Sequence, residues 1–130
     1  MVGILIVAHS ARLADGVKEF AEQAVQGKVR IAAAGGDIDG NLGVSVDAIR
    51  AGLHHVASDD GVLILVDFSS AVLSIEAVLE EETTARVEIS NAPLVEGAYL
   101  AAVEASIGAT LEETAAAALR ARDLVKIHHD

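Results

Sequence analysis

Val62-Leu63-Ile64-Leu65-Val66 is an unbroken run of large aliphatic side chains that stops at Asp67. A strand with one wet face alternates apolar and polar residues, so a strand with no alternation must be covered on both faces, as parallel strands are by their crossover helices. Val2 to Ala8 is a second run of this kind, and Val29 to Ala34 a third. Arg86 to Ile89 reads as a shorter fourth strand.

The segments between these runs have helical spacing. Ser10 opens a helix carrying Leu13, Val17, Phe20, Ala21 and Ala24, and Gly27 closes it. Gly35-Gly36-Asp37 through Asp39-Gly40-Asn41 is a turn-rich loop. Val46, Ile49, Leu53 and Val56 mark a second helix, ended by Ser58-Asp59-Asp60-Gly61. Ser69 or Ser70 can cap a third, with Val72, Ile75 and Leu79 inward and Glu76, Glu80, Glu81 and Glu82 in water. After Ala92-Pro93 a helix runs from about Leu94 to Ile107, and Leu111 to Arg122 makes the last.

Strand alternating with helix, without internal repeat, predicts one α/β domain over residues 1–130: a doubly wound, open, mainly parallel sheet with helices on both faces. The expected strand order is 2-1-3-4. In that order the chain reverses direction between strands 1 and 3, and a crevice opens at their carboxyl ends. Those ends are His9-Ser10 and Asp67-Phe68-Ser69-Ser70, where function is expected.

Composition narrows the chemistry. The 130 residues carry 9 basic and 20 acidic side chains, a net charge of -11, 2% aromatics and no cysteine. Thiolate metal sites and disulfides are therefore excluded, and a cytoplasmic setting is expected. The acidic balance repels phosphate backbones, and scarce aromatics give no stacking platform, which argues against nucleic acid. Apolar runs too short for a bilayer, and no basic stretch ahead of the first, argue against a membrane anchor or leader. There is no GxxxxGK[ST], no GxGxxG after strand 1 and no GxSxG elbow.

His9 follows a buried strand and precedes a helix start, so the fold can hold its imidazole while exposing one edge. Neutral imidazole is a nucleophile or ligand, and the nitrogen that acts is chosen by what binds the other. Asp67 is the natural partner: accepting a hydrogen bond from one ring nitrogen, it would fix the tautomer and stabilise positive charge as the other bonds to phosphorus. A phosphoryl group there would face Ser10 and the amides of Ala11, Arg12 and Leu13 at a helix start, with Ser69 and Ser70 as a second set. Arg12 can neutralise phosphate or meet a surface aspartate. The plain alternatives are a hydrogen-bonded strand-end histidine and an aspartate that caps a helix. His54 and His55 read as solvated at a helix carboxyl end, and His128-His129-Asp130 as a tail without a site role. Gly35-Gly36 and Leu42-Gly43 form a possible rim. Neither a metal nor a cofactor is expected.

Three motifs in order carry a resemblance: Ile4-Leu5-Ile6-Val7-Ala8-His9-Ser10, Val66-Asp67-Phe68-Ser69-Ser70-Ala71 and Ala92-Pro93-Leu94-Val95-Glu96-Gly97. Together they resemble the phosphotransfer subunits of phosphoenolpyruvate-dependent dihydroxyacetone kinases, relatives of mannose-type enzyme IIA. The resemblance implies that His9 is phosphorylated by the phosphocarrier HPr, here a separate protein, and passes the group to ADP held by the kinase's ADP-binding subunit. It also implies that Asp67 orients the histidine and that the chain is a homodimer.

Three rivals stand beside this reading. A sirohydrochlorin-type chelatase also ends a strand in histidine, but it needs a second histidine or acid across the cleft. A receiver domain phosphorylated on Asp67 would want a carboxylate cluster after strand 1, where Ala8-His9-Ser10 stands. A non-catalytic dimerisation or ligand-binding module would survive loss of His9.

Overall fold

The computed structural model describes residues 1–82 and 86–129. Strands β1 (Gly3–Ala8), β2 (Ile31–Gly35), β3 (Val62–Val66) and β4 (Val87–Ile89) form one parallel sheet in the order β2-β1-β3-β4. Helices α1 (Ala11–Val25), α2 (Val46–Val56), α3 (Ser70–Glu81), α4 (Leu94–Ser106) and α5 (Leu111–Leu119) connect and cover it. The expected class and strand order are both present.

Because successive side chains of a strand point to opposite faces, β1 feeds two cores. Ile4, Ile6 and Ala8 pack with Leu63 and Leu65 beneath α1, α4 and α5. Leu5 and Val7 pack with Ala32, Ala34, Val62 and Ile64 beneath α2 and α3. The missing polar alternation is thus explained: both faces of β1 and β3 are dry.

Several local boundaries differ from the pattern reading. The second strand starts at Ile31 rather than Val29, and the fourth at Val87 rather than Arg86. The last helix ends at Leu119 and continues as a 3-10 turn over Arg120–Asp123. The α1 stripe is rotated: Ala14, Val17, Ala21 and Val25 are buried, while Leu13 and Phe20 remain 41% and 46% exposed. The two small alanines let α1 approach the sheet closely, and Phe20 instead lies against Tyr99 of α4, ring centroids 4.9 Å apart. On α3 the buried line is Ala71, Ile75 and Val78, with Val72 and Leu79 at its margins. Gln26, ahead of Gly27, takes the left-handed conformation that ends α1.

Candidate functional site

The carboxyl ends of β1 and β3 lie side by side, with Val7 opposite Val66 in the parallel register. One residue beyond β1 stands His9, and one beyond β3 stands Asp67. The Asp67 amide donates to the Val7 carbonyl at 3.3 Å, and the His9 amide donates to Asp67 Oδ2 at 2.9 Å. The ladder therefore runs one step past the strands and brings the two side chains together.

His9 Nδ1 lies 3.0 and 3.1 Å from the two Asp67 oxygens. On the other side of the ring, Nε2 lies 3.0 Å from Ser70 Oγ. The imidazole is 32% exposed and the carboxylate 15%. Phe68, 71% exposed, sets its ring edge-on to the imidazole with centroids 6.2 Å apart.

Burial, the strongest single influence on Asp67, pushes its carboxyl up. The His9 amide, the His9 ring and the Phe68 amide together outweigh it, and the carboxyl sits below its ordinary value. An ionised carboxylate only accepts hydrogen bonds, so Nδ1 carries the proton and Nε2 of the neutral ring keeps its lone pair. Ser70 is then the donor to Nε2. The network assigns the tautomer that the sequence left open.

The other expected residues divide. Ser10 caps α1, its Oγ accepting from the Leu13 amide at 3.2 Å. The Leu13 amide is thus engaged by the cap, and the amides of Ala11 and Arg12 open the first turn, where no i-4 carbonyl of the helix serves them. The Arg12 side chain lines a hollow on α1 with Leu13, Phe20 and Val95. Arg12 makes no ion pair or side-chain hydrogen bond among the described residues. Ser69 holds the cap position of α3 but its hydroxyl makes no capping bond. Asp67 does not cap α3 either; it turns its oxygens to His9 and to the Phe68 amide, 2.8 Å away.

At the carboxyl end of β3 a cleft of about 380 Å³ is lined by Asp67, Phe68, Ser69, Glu76, Ser90 and Asn91 among others, with His9 outside its lining. Among the described residues no group of three or more histidine, aspartate or glutamate side chains is arranged to hold a metal ion. His54 is solvent-exposed, as expected, but also pairs with Glu82 at 2.8 Å. His128 and His129 lie in the exposed tail, and Asp130 falls outside the described residues.

One contact was missed by the pattern reading. The Gly43 amide, in the loop between β2 and α2, donates to the His9 carbonyl at 2.8 Å. Closely spaced glycines and Asp37 were its only sequence signal. Gly35 shows why the loop begins so near: a Cβ there would lie 2.5 Å from the Ser10 carbonyl oxygen.

Comparison with known proteins shows the family to which the chain belongs. The family model described as PTS system fructose IIA component matches residues 3–115. The Escherichia coli K12 phosphoryl donor subunit DhaM of PEP-dependent dihydroxyacetone kinase is 39% identical over 119 residues, which is 87% of this chain and 25% of that one. The chain thus spans about a quarter of that relative's length. The DhaM subunit of Listeria innocua kinase 2 is 34% identical over 115 residues, 86% of this chain and 92% of that one. Among solved structures, EF1359, a protein described as of unknown function, superposes with a TM-score of 0.77 at 31% identity, covering 92% of this chain and 95% of that one. The phosphotransferase system component EIIA from Streptococcus agalactiae shares the fold, with a TM-score of 0.71 at 17% identity and 97% of each chain covered. A parallel sheet that presents His9 against Asp67, matched along nearly all its length by these relatives, places this chain in the EIIA-man family of phosphotransferase-system proteins, among its DhaM members.

Proposed function

We propose that this chain is a phosphoryl-carrier subunit of a phosphoenolpyruvate-dependent dihydroxyacetone kinase and that His9 Nε2 carries the group. The observation that supports it is the held imidazole: Nδ1 against the Asp67 carboxylate, Nε2 on the open side against a hydroxyl. Nε2 attacks the phosphorus of a phosphorylated donor, and the N–P bond forms as the donor's own bond to phosphorus breaks. No proton need leave the ring, because Nδ1 keeps its hydrogen and Asp67 stabilises the positive charge that the ring acquires. The Ser70 hydroxyl swings from Nε2 to a phosphoryl oxygen. Ser10, Ser69 and the amides of Ala11 and Arg12 bound the space the anion enters.

In this reading the donor is HPr and the acceptor is ADP on the kinase's ADP-binding subunit. Names of relatives support the kinase and its phosphoryl-donor role; the homodimer and the cytoplasmic setting are part of the proposal. The chain acts as one phosphotransfer domain over residues 1–130.

The test is to incubate the folded chain with phosphoenolpyruvate, magnesium, enzyme I and a cognate HPr, and to map the modified residue at neutral pH. An acid-labile, alkali-stable adduct on His9, absent from His9→Ala, is the expected result. Labelling elsewhere, or none on a folded sample, overturns the proposal.

A further inference from the structure

The β2–α2 loop lies on the surface, yet several of its backbone groups are hydrogen-bonded within it, most of them to Asp37. Asp37 Oδ1 accepts the amides of Asp39 at 2.9 Å and Asn41 at 2.8 Å. The Asp37 amide donates to the Asn41 carbonyl at 2.8 Å, and its carbonyl accepts the Gly40 amide at 3.1 Å. Gly36 and Val44 close the base of the loop as a parallel bridge. A Cβ on Gly43 would meet Asp37 Cβ at 3.1 Å, so the two residues are packed together. Asp37 is thus the hub of a loop whose last step is the Gly43 amide on the His9 carbonyl.

His9 is consequently gripped on its backbone from both sides. Its amide goes to Asp67 and its carbonyl receives Gly43. The direction of the Cβ follows from the backbone between these two bonds, and the ring follows the Cβ. With contacts of 3.0 to 3.1 Å at Nδ1 and 3.0 Å at Nε2, a small rotation of the peptide breaks one or the other.

On the reading of His9 as the phosphoryl carrier, we infer that Asp37 is a positioning residue: its carboxylate holds the loop that delivers the Gly43 amide to His9 and so keeps Nε2 aimed at the incoming phosphorus. Its charge is incidental. An acceptor oxygen at Oδ1 is what the turn requires, so asparagine serves in its place.

The experiment compares Asp37→Ala and Asp37→Asn with the unaltered chain. ¹⁵N spectra of the His9 ring in the unphosphorylated protein report its tautomer, and exchange of the Gly43 amide reports the loop. Steady-state phosphorylation by phospho-HPr separates kcat from KM. For Asp37→Ala the ring shifts move toward a tautomer mixture and the Gly43 amide exchanges faster. Its kcat falls on the order of 10- to 100-fold, as a misplaced reacting group predicts, with KM unchanged within about threefold. Asp37→Asn restores all of these. Unmoved ring shifts in Asp37→Ala, a loss confined to KM, or an asparagine variant as impaired as the alanine one overturns the inference. Should the unaltered chain take no phosphoryl group on His9, the functional reading fails, while the ring and amide spectra still decide whether Asp37 positions the imidazole. If Asp37→Ala fails to fold, Asp37→Asn alone decides: normal spectra and kcat support the inference, and impaired ones overturn it.

Discussion

Asp67 is pulled in two directions, and the balance decides the chemistry of the site. Burial raises its carboxyl, while the amides of His9 and Phe68 and the His9 ring lower it further. A carboxyl depressed in the fold contributes stability above its unfolded value, about 3.9 for aspartate. That contribution is lost as pH falls through the lower folded value. Asp67→Asn should therefore flatten the acid limb of stability below about pH 4, measured by urea unfolding at stepped pH. A limb as steep as in the unaltered chain would show that the carboxylate is not held as described. The same variant turns an acceptor into a group able to donate to Nδ1, which favours the wrong tautomer, and phosphoryl acceptance should drop by at least about 100-fold. His9 and Asp67 were legible in the sequence because each ends an apolar run. Ser70 and Ser69 were not separable there: adjacent serines look alike until a helix start turns one hydroxyl toward Nε2 and leaves the other uncommitted.

At the scale of elements, α5 contains one feature with a clear cost. Thr114 is fully buried and its hydroxyl has no hydrogen-bond partner among the described residues. Valine has the same shape without the polar atom, so Thr114→Val should raise stability by about 1 kcal/mol, read from the urea midpoint at unchanged slope. A loss of stability would mean that the hydroxyl is satisfied in solution. The start of the same helix is well bonded: Thr110 and Glu113 form a reciprocal capping box, with contacts of 2.9 and 3.1 Å. Periodicity located every helix, but it misjudged the buried face of α1. Leu13 and Phe20 are the more hydrophobic choice by side chain alone, whereas the approach of α1 to the sheet is set by what small residues permit.

The whole molecule carries 20 acidic and 9 basic side chains around two dry cores. Since β1 and β3 belong to both cores, the domain should melt in a single transition. Repulsion among the excess carboxylates opposes the compact state, and the surface ion pairs, such as Arg50 with Glu81 and Arg86 with Glu112, are too exposed to reverse that balance. Raising salt from roughly 0.01 to 0.3 M should therefore lift the midpoint by about 2–5 °C, as followed by circular dichroism. Two separate transitions, or a midpoint that falls with salt, would contradict this account. The amino acids alone settled the class of sheet, its strand order and the two residues that end its central strands. Those features depend on local patterns of apolar and polar residues and on the handedness of crossovers. Which ring nitrogen is free, which serine meets it and how Asp37 reaches His9 through Gly43 rest on distances between segments far apart in the chain, and became visible only once both cores had closed.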